Sequence, residues 1–275
     1  GVVDTVLIND TSSVNVQSSL TGLFTIGGIT PDYSDFTTAV SDLNAYGICG
    51  PVTFDVRSAT YNEQIDLGSI GGTSSTNTIV FRSQDGNRDS VILTFPSTLA
   101  ASNYTVRFSG ADHISFEQMT IEATGSLYGH AMEFAGASDS NTVWDSGIVG
   151  YNGNTTSTNN TVIYSNTGHD NGNSFIGNTI ENGSYGVYWY GTSITSLEQG
   201  TVFENNDFLN QYYSVARLSY QDAPKINNNT IATNSPYTGT FYGLYTVYCD
   251  NAMEMTNNNV VLGSDHFGYG IYLSN

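Results

Sequence analysis

The sequence predicts an all-β solenoid, a parallel β-helix in which short strands coil repeatedly around one axis. The first observation is a repeat in which an Asn stands between apolar residues, and its four copies place Asn178, Asn206, Asn229 and Asn259 at intervals of 23 to 30 residues. The second is an apolar–aromatic pattern that follows each copy, at 186–190, 214–218, 243–247 and 270–273. The third is that the residues between these repeats show no helical period. Repeats of 20–50 residues are typical of solenoids and propellers, and short β-type runs without a helical period favour the solenoid.

The repeated Asn is predicted to form a ladder. In a parallel β-helix the same turn recurs one coil further on, about 4.8 Å away, and Asn tolerates the left-handed backbone that such turns require. Stacked Asn side chains can hydrogen-bond along the axis and pair polar groups that would otherwise be buried without partners. We therefore expect Asn178, Asn206, Asn229 and Asn259 to be structural.

One amphipathic helix is predicted before the coils. Phe36, Ala39, Val40 and Leu43 have the spacing of a single helical face, and Gly47 suits the end of the helix. Such a helix can cover the open apolar end of the first coil. The expected organisation is an N-terminal strand or extension over 1–30, the capping helix within 31–48 and coils over 49–275. We expect one domain, cut from a larger protein, because the chain stops directly after a strand-like segment.

Composition excludes several classes of partner. The 275 residues carry a net charge of −19 and only six basic residues, whereas nucleic-acid binding needs clustered Lys and Arg. The same deficit disfavours an anionic membrane surface, and no apolar run is long enough to span a bilayer.

Cys49 and Cys249 should lie about 30 Å apart, beyond the roughly 7 Å that a disulfide allows. We expect two free, buried thiols.

Several segments resemble a known family, and the motifs that carry the resemblance are Thr25-Ile26-Gly27-Gly28, Thr60-Tyr61-Asn62-Glu63-Gln64, Thr76-Asn77-Thr78-Ile79 and Gly183-Ser184-Tyr185-Gly186. They are similar to the right-handed parallel β-helix regions, pectate-lyase-like in fold, of large exported or cell-surface proteins of bacteria with a type IX secretion system. The resemblance runs from about residue 21 to the end. It implies a right-handed coil and an extracellular or cell-surface location.

Catalytic residues are sparse. A β-helix lyase needs a Lys or Arg base, and the repeats offer Arg217 and Lys225, with Asp222 between them. The competing interpretation of Arg217 is an ordinary salt bridge at a strand edge.

A calcium site is a further hypothesis. Glu117 and Asp145 both stand two places before the Asn position of their coils, so they should lie one coil apart on the outer face. Two carboxylates about 5 Å apart could share a hard cation. The alternative is a solvated pair without a bound ion.

A tyrosine-rich outer face is the strongest binding candidate. The second pattern defines an inward column at Val187, Val215, Leu244 and Ile271. Their successors are then expected to point outward, and these are Tyr188, Ala216, Tyr245 and Tyr272, with Tyr190 alongside. Exposed aromatic rings suit the apolar faces of sugars, but strands also enrich tyrosine for cross-strand packing. Both interpretations stay open.

These observations together favour a non-catalytic extracellular adhesin-like or carbohydrate-binding module, a monomer whose partner is a polysaccharide or cell-surface glycan. The enzymatic alternative is a polysaccharide lyase or glycoside hydrolase of the β-helix type. A structural stalk without a ligand is the third hypothesis.

Overall fold

The computed structural model describes residues 18–263 and 267–274, apart from the side chain of Thr167, and it confirms the parallel β-helix. Within those residues the strands form three parallel sheets, to which each coil contributes one strand. Sheet A comprises β1 (Leu20–Ile26), β2 (Ile48–Val56), β5 (Ile79–Ser83), β8 (Ile114–Glu117), β11 (Thr142–Trp144), β14 (Ser174–Ile176), β18 (Val202–Glu204), β21 (Lys225–Asn227) and β24 (Glu254–Thr256). Sheet B comprises β3 (Ala59–Asn62), β6 (Val91–Phe95), β9 (Thr120–Ala123), β12 (Gly147–Val149), β15 (Thr179–Glu181), β19 (Asp207–Leu209), β22 (Thr230–Thr233) and β25 (Asn259–Leu262). Most of the predicted N-terminal extension, residues 1–17, lies outside the described residues.

Sheet C follows sheet B in each coil. It comprises β4 (Ile65–Gly68), β7 (Val106–Ser109), β10 (Met132–Ala135), β13 (Ile163–Thr167), β16 (Tyr185–Tyr190), β20 (Ser214–Asp222), β23 (Phe241–Asp250) and β26 (Gly268–Ser274). The short β17 (Glu198–Gln199) pairs with the end of β20. Two 3₁₀ turns, Ala100–Ser102 and Thr158–Asn160, lie between sheets B and C.

The predicted helix is α1 (Phe36–Tyr46), and it closes the first coil. It buries Phe36, Ala39, Val40 and Leu43, the face that the sequence pattern indicated. The side chain of Asn44 donates to the Asp66 carbonyl at 2.9 Å and accepts from the Gly68 N–H at 3.0 Å. These bonds pair the free edge of β4, which would otherwise be open to another strand. Among the described residues, no helix combines the length and the apolar character that crossing a membrane requires.

Stacked aromatic side chains fill the core. The rings of Phe54 and Phe81 lie 4.8 Å apart, those of Phe81 and Phe116 lie 5.1 Å apart, and Phe175 stacks on Phe203 at 4.8 Å. Strand residues alternate between the inside and the outside of the sheet, so equivalent positions of successive coils meet at the rung spacing of about 4.8 Å. Each apolar column therefore becomes a continuous stack.

The Asn ladder forms, with one correction. Side-chain hydrogen bonds run from Asn178 to Asn206 at 3.1 Å, from Asn206 to Asn229 at 3.1 Å and from Asn229 to Asn258 at 3.0 Å. The prediction of Asn259 is wrong, because Asn259 is exposed at the start of β25. In each coil the ladder residue follows a residue with positive φ, and Asn257 takes that place in the last turn. Because residues 257–259 are all Asn, the sequence alone does not show which of the three belongs to the ladder.

Both cysteines are free thiols, as predicted. Cys249 is half-buried, and burial raises the pKa of its thiol to about 11. The expectation that both are buried is wrong for Cys49, which is exposed on β2 between the buried residues Ile48 and Gly50.

Candidate functional site

One outward-facing column runs along sheet C across the whole molecule. Strand register places one residue of each coil in this column, and its members are Asp66, Arg107, Glu133, Tyr164, Tyr188, Arg217, Tyr245 and Tyr272. Seven rungs separate its ends, a length of about 34 Å. The column begins with charged residues and continues with aromatic ones. We call this surface the sheet C face.

The charged end of the sheet C face is a compact cluster. Arg107 Nη2 lies 2.7 Å from Asp66 Oδ2, and its Nη1 lies 3.9 Å from Glu133 Oε2. The Ser109 hydroxyl donates to Asp66 Oδ1 at 2.6 Å, and Arg107 Nε donates to Ser109 Oγ at 3.0 Å. The guanidinium also lies 4.6 Å from the ring centroid of Tyr104. Arg107 is therefore held in one position while it remains partly open to solvent.

Glu133 differs from an ordinary surface carboxylate. Its burial raises the pKa of the carboxyl group, and the nearby Arg107 guanidinium opposes this shift while Asp66 adds to it. The side chain is 22% exposed, so a ligand can still reach it. A raised carboxyl pKa beside a fixed guanidinium is an arrangement that general acid–base chemistry uses.

Tyr164 connects the charged end to the aromatic end. Its ring stacks on His130 with centroids 4.3 Å apart and on Tyr188 at 5.7 Å. His130 is buried, and that burial lowers the pKa of its imidazole to about 4, so the ring is neutral. A His130 ring nitrogen lies 2.9 Å from the Thr158 carbonyl, which holds the imidazole beneath Tyr164.

Arg217 lies among tyrosines at the centre of the aromatic end. Its guanidinium carbon is 4.9 Å from the Tyr245 ring centroid, 5.7 Å from that of Tyr188 and 6.0 Å from that of Tyr190. Burial raises the pKa of the neighbouring Tyr185, and the Arg217 guanidinium opposes this shift. Within residues 18–263 and 267–274, Arg217 forms no ion pair with a carboxylate, and its Nε is buried without a hydrogen-bond partner.

The predicted register of this coil is wrong by one residue. Ala216, expected on the outer face, pairs with Val187 and Leu244 and points into the core, whereas Arg217 pairs with Tyr188 and Tyr245. Both Val215 and Ala216 are buried, so their apolar character could not distinguish the two registers. The consequence is chemical, because an arginine and not an alanine occupies this place in the outer column.

The four tyrosines predicted to bind glycan lie on or beside the sheet C face. Tyr188, Tyr245 and Tyr272 belong to its column, and Tyr190 stacks on Tyr188 with centroids 5.7 Å apart. The rings of Tyr245 and Tyr272 lie 4.9 Å apart, edge to face. All four are half-buried. Their role in glycan binding stays a prediction.

The other two catalytic candidates lie away from Arg217. Asp222 ends β20 and accepts a hydrogen bond from the Asn251 side chain at 2.7 Å. Lys225 lies in sheet A, where its Nζ is 3.7 Å from Glu254 Oε1. Asp222 and Lys225 are close in sequence but lie in different sheets, because the chain turns from sheet C to sheet A between them.

Glu117 and Asp145 do not share an outer column, contrary to the register that the calcium hypothesis assumed. Glu117 pairs with Trp144, not with Asp145, and accepts a hydrogen bond from Ser115. Asp145 occupies the turn after β11 and lies 2.8 Å from Arg88 Nη2. Among the described residues, no group of three or more His, Cys, Asp or Glu side chains has the arrangement of a metal site. Calcium binding by this chain stays a prediction.

Two carboxyl groups that the sequence did not single out lie inside the molecule. Glu198 Oε2 accepts from Trp189 Nε1 at 2.7 Å and from Gln221 Nε2 at 2.8 Å. Asp170 accepts from the Ser165 hydroxyl at 2.7 Å, and its backbone N–H donates to Glu198 at 3.3 Å. Burial raises the pKa of both, that of Glu198 to about 7.

The missed residues of the sheet C face do have a sequence signal. Asp66, Arg107 and Glu133 each stand between two inward apolar residues, as in Val106-Arg107-Phe108 and Met132-Glu133-Phe134. Aligning such triplets along the chain would have placed these three charges in the same column as Tyr188. The early coils lack the Asn repeat, so the alignment had no anchor there.

Comparisons with known proteins identify the fold. No family model and no curated protein matches the chain. Among solved structures, the chain is similar to the pectin methylesterase from Aspergillus niger in deglycosylated form, with a TM-score of 0.55 and 16% identity over 94% of this chain and 86% of that one. The pectin methylesterase PemA from Erwinia chrysanthemi gives a TM-score of 0.46 and 13% identity over 94% and 90% of the two chains.

These comparisons contradict the leading functional prediction. The Aspergillus niger structures that the chain resembles are those of an enzyme, whereas the sequence favoured a non-catalytic adhesin-like or carbohydrate-binding module. The sequence prediction did not include the cluster of Asp66, Arg107 and Glu133.

Proposed function

We propose that this chain is a carbohydrate-active enzyme that hydrolyses carboxyl esters of an acidic polysaccharide along the sheet C face. The cluster of Asp66, Arg107 and Glu133 is the proposed catalytic centre, and the tyrosines around Arg217 are the proposed polymer-binding surface. The similarity of the fold to pectin methylesterase from Aspergillus niger supports this class of substrate. We further propose that the protein acts outside the cell as a monomer.

The spacing of the sheet C face suits an extended polymer. Glu133 and Arg217 lie three rungs apart, about 14 Å, and Tyr164 and Tyr188 lie between them. Tyrosine rings stack against the apolar faces of sugar units, while their hydroxyl groups hydrogen-bond. A polymer bound across these rings would reach the charged cluster at one end and Arg217 at the other.

Arg217 gives the surface its preference for an acidic chain. Arg82, Arg88, Arg107 and Lys225 are paired with carboxylates, and Arg57 donates to the Gly27 and Ile29 carbonyls. Among the described residues Arg217 has no carboxylate partner, and its Nε has no hydrogen-bond partner at all. A guanidinium binds a carboxylate through two parallel hydrogen bonds, and the surrounding tyrosines limit competition from water. A free uronate group next to an esterified one is the partner that this arrangement fits.

The catalytic centre can hydrolyse an ester with its own side chains. Ionised Glu133 accepts a proton from water as the water oxygen bonds to the ester carbonyl carbon, and Arg107 donates hydrogen bonds to the oxyanion that forms. When the carbon–alkoxy bond breaks, Glu133 returns the proton to the departing alcohol. Asp66 and Ser109 hold Arg107 in position throughout. The products are the polymer carboxylic acid, which then ionises, and the alcohol.

The observation that carries the proposal is the shared register of the column, which aligns a carboxyl group of raised pKa with an arginine that has no acidic partner. Chemistry and binding then lie on one surface of one sheet.

The test is a product assay on methyl-esterified and unesterified polygalacturonate. Wild-type protein should release methanol from the esterified polymer without creating new reducing or unsaturated chain ends. Asp66→Asn should retain polymer binding and lose most of the methanol release, because Arg107 is no longer fixed by a charged partner. New unsaturated or reducing ends without methanol would overturn the ester chemistry and favour a lyase or a glycoside hydrolase, and no product from either polymer would overturn the proposal.

A further inference from the structure

An apolar slot lies at the margin of the sheet C face, between the end of β23 and the loop that joins β16 to β17. Its volume is about 350 Å³, which lies within the range of small-molecule sites. The loop contributes Ile194 and Leu197, and the end of β23 contributes Tyr248, Cys249 and Asp250. We call this cavity the side slot.

The loop over the side slot is held in place by the preceding coil. Thr192 Oγ1 donates to the Gly168 carbonyl at 3.2 Å, and Ser196 Oγ lies 3.2 Å from His169 Nε2. The loop also forms a tight turn, in which the Ser196 N–H donates to the Ser193 carbonyl at 3.1 Å. These contacts fix the loop through its polar groups, so the side slot is already formed in the absence of a ligand.

The walls of the side slot are apolar although they face water. Ile194 is 61% exposed and Tyr248 is 37% exposed, while Leu197 and Cys249 are half-buried. Single exposed apolar side chains are common on protein surfaces, but here four of them surround one hollow. A ligand that covers this surface releases the water in contact with it. The side slot therefore has the character of a site for an apolar group.

The backbone at two tyrosines supports a role for their rings. Tyr220 has a φ of 57° and Tyr248 a φ of 49°, in the left-handed region that costs a bulky residue on the order of 1–2 kcal/mol. Gly or Asn would form the same turns at lower cost. The two rings nevertheless stack, with centroids 5.4 Å apart and an angle of 6° between their planes. The side chains, and not the backbone, therefore account for tyrosine at these positions.

The side slot continues the row of rings on the sheet C face. The Tyr248 ring stacks on Tyr220, the Tyr220 ring lies 5.2 Å from Tyr190, and the Tyr190 ring lies 5.7 Å from Tyr188. None of these four tyrosines is fully buried. A ring in the side slot would extend this row by one member.

The chemistry of the lining selects a neutral ring that carries a hydroxyl group. Asp250 is the one charged residue of the lining, and it is exposed at the end of β23. Its carboxylate accepts a hydrogen bond from a hydroxyl group and repels an anion. The aliphatic walls make burial of a positive charge costly, whereas an aromatic ring packs favourably against a tyrosine. A phenol meets all of these conditions.

We infer that the side slot binds a neutral phenolic ring, which packs against Tyr248 and donates its hydroxyl hydrogen to Asp250. This binding does not depend on the proposed ester hydrolysis, because the side slot shares no residue with the cluster of Asp66, Arg107 and Glu133.

The first test is ligand-observed NMR with methyl 4-hydroxybenzoate, beside 4-hydroxybenzoate as the anionic comparison and 1-hexanol as the flexible apolar one. Wild-type protein should bind the methyl ester in preference to both. Ile194→Ser removes one wall and should weaken this binding about 10-fold. Ile29→Ser is the matched control, since it makes the same change at an exposed isoleucine outside the slot, and it should bind like the wild type. Tyr248→Gly suits the positive φ and removes the ring, so it should abolish binding.

The second test uses the thiol in the wall of the side slot. With methyl 4-hydroxybenzoate at about ten times its Kd, only about a tenth of the slots are empty, so iodoacetamide should modify Cys249 about 10-fold more slowly. Cys49 lies outside the slot, and the rate of its modification should not change.

Four outcomes would overturn the inference: methyl 4-hydroxybenzoate does not bind, 1-hexanol or 4-hydroxybenzoate binds as well, binding is equal in wild type, Ile194→Ser and Tyr248→Gly, or Cys49 and Cys249 are protected alike. Methanol release by the same preparations separates this question from the proposed function. Binding of the phenol without any methanol release would leave the side slot in place and remove the esterase.

Discussion

The interior carboxyl group of Glu198 should make the stability of the coil depend on pH. Its carboxyl group is buried and accepts hydrogen bonds from Trp189 and Gln221, and the Asp170 carboxyl group is close enough to disfavour a second charge. Glu198→Gln is the informative change, because the amide cannot ionise and keeps one oxygen for the Trp189 and Gln221 donors. Its NH2 group replaces the oxygen that accepts from the Asp170 N–H, a cost that is the same at every pH and leaves the pH dependence to report on Glu198.

The magnitude follows from the pKa. Burial raises the pKa of Glu198 from 4.5 to about 7, and each unit of difference between folded and unfolded chain corresponds to about 1.4 kcal/mol. The raised value means that the folded protein holds a proton that the unfolded chain releases. The contribution of Glu198 to the free energy of unfolding is therefore fully present below about pH 4.5, and it declines by about 3 kcal/mol as the pH rises through 7. For a chain of this size the decline corresponds to roughly 6–12 °C in melting temperature.

The assay compares denaturant unfolding of wild type and Glu198→Gln from pH 5 to pH 8, at constant ionic strength. The variant should gain about 3 kcal/mol on the wild type across this range, with unchanged denaturant dependence. Glu122→Gln is the matched control, since it makes the same change on the outer side of sheet B. Parallel stability curves for wild type and Glu198→Gln would refute the reasoning, because they would show that Glu198 ionises as readily inside the protein as in the unfolded chain.

Three further predictions follow from the ladder, the sheet C face and the thiols. Asn206→Ala should lower the free energy of unfolding by about 2–4 kcal/mol in a denaturant titration, because it leaves buried backbone groups of the ladder unpaired; a loss below 1 kcal/mol would contradict a structural ladder. Arg217→Gln should weaken the binding of unesterified polygalacturonate about 10- to 100-fold by calorimetry, whereas Arg82→Gln should not, and equal effects would mean that the sheet C face is not the binding surface. A thiol reagent at pH 8 should modify exposed Cys49 quickly and Cys249 slowly, since burial raises the Cys249 pKa to about 11; equal rates would contradict this placement.

The fold was predictable because its periodicity appears directly in the sequence. Each coil must return to the same turn, and a buried amide ladder requires the same side chain there, so Asn178, Asn206 and Asn229 mark the repeat. The helix face was equally clear from Phe36 and Leu43. Register within a coil was harder, because an error of one residue is invisible where neighbours are both apolar, as at Val215 and Ala216.

The candidate site was only partly predictable. Tyr188, Tyr245 and Tyr272 follow the repeat and were placed on the correct surface. Asp66 and Glu133 are 67 residues apart in sequence, and only the pairing of β4, β7 and β10 brings them to the same guanidinium. Glu198 was missed for a different reason, since a carboxyl group in a polar loop gives no sign that the loop folds inward.

The most direct test of the proposed enzyme is the rate of methanol release from methyl-esterified polygalacturonate by Glu133→Gln, measured beside Glu122→Gln. Replacing a general base should lower kcat/KM by about 10²- to 10⁴-fold, while the control on sheet B should match the wild type. Unaltered melting temperatures would show that both variants are folded. Equal rates in Glu133→Gln and the wild type would contradict the assignment of the catalytic centre to the cluster of Asp66, Arg107 and Glu133.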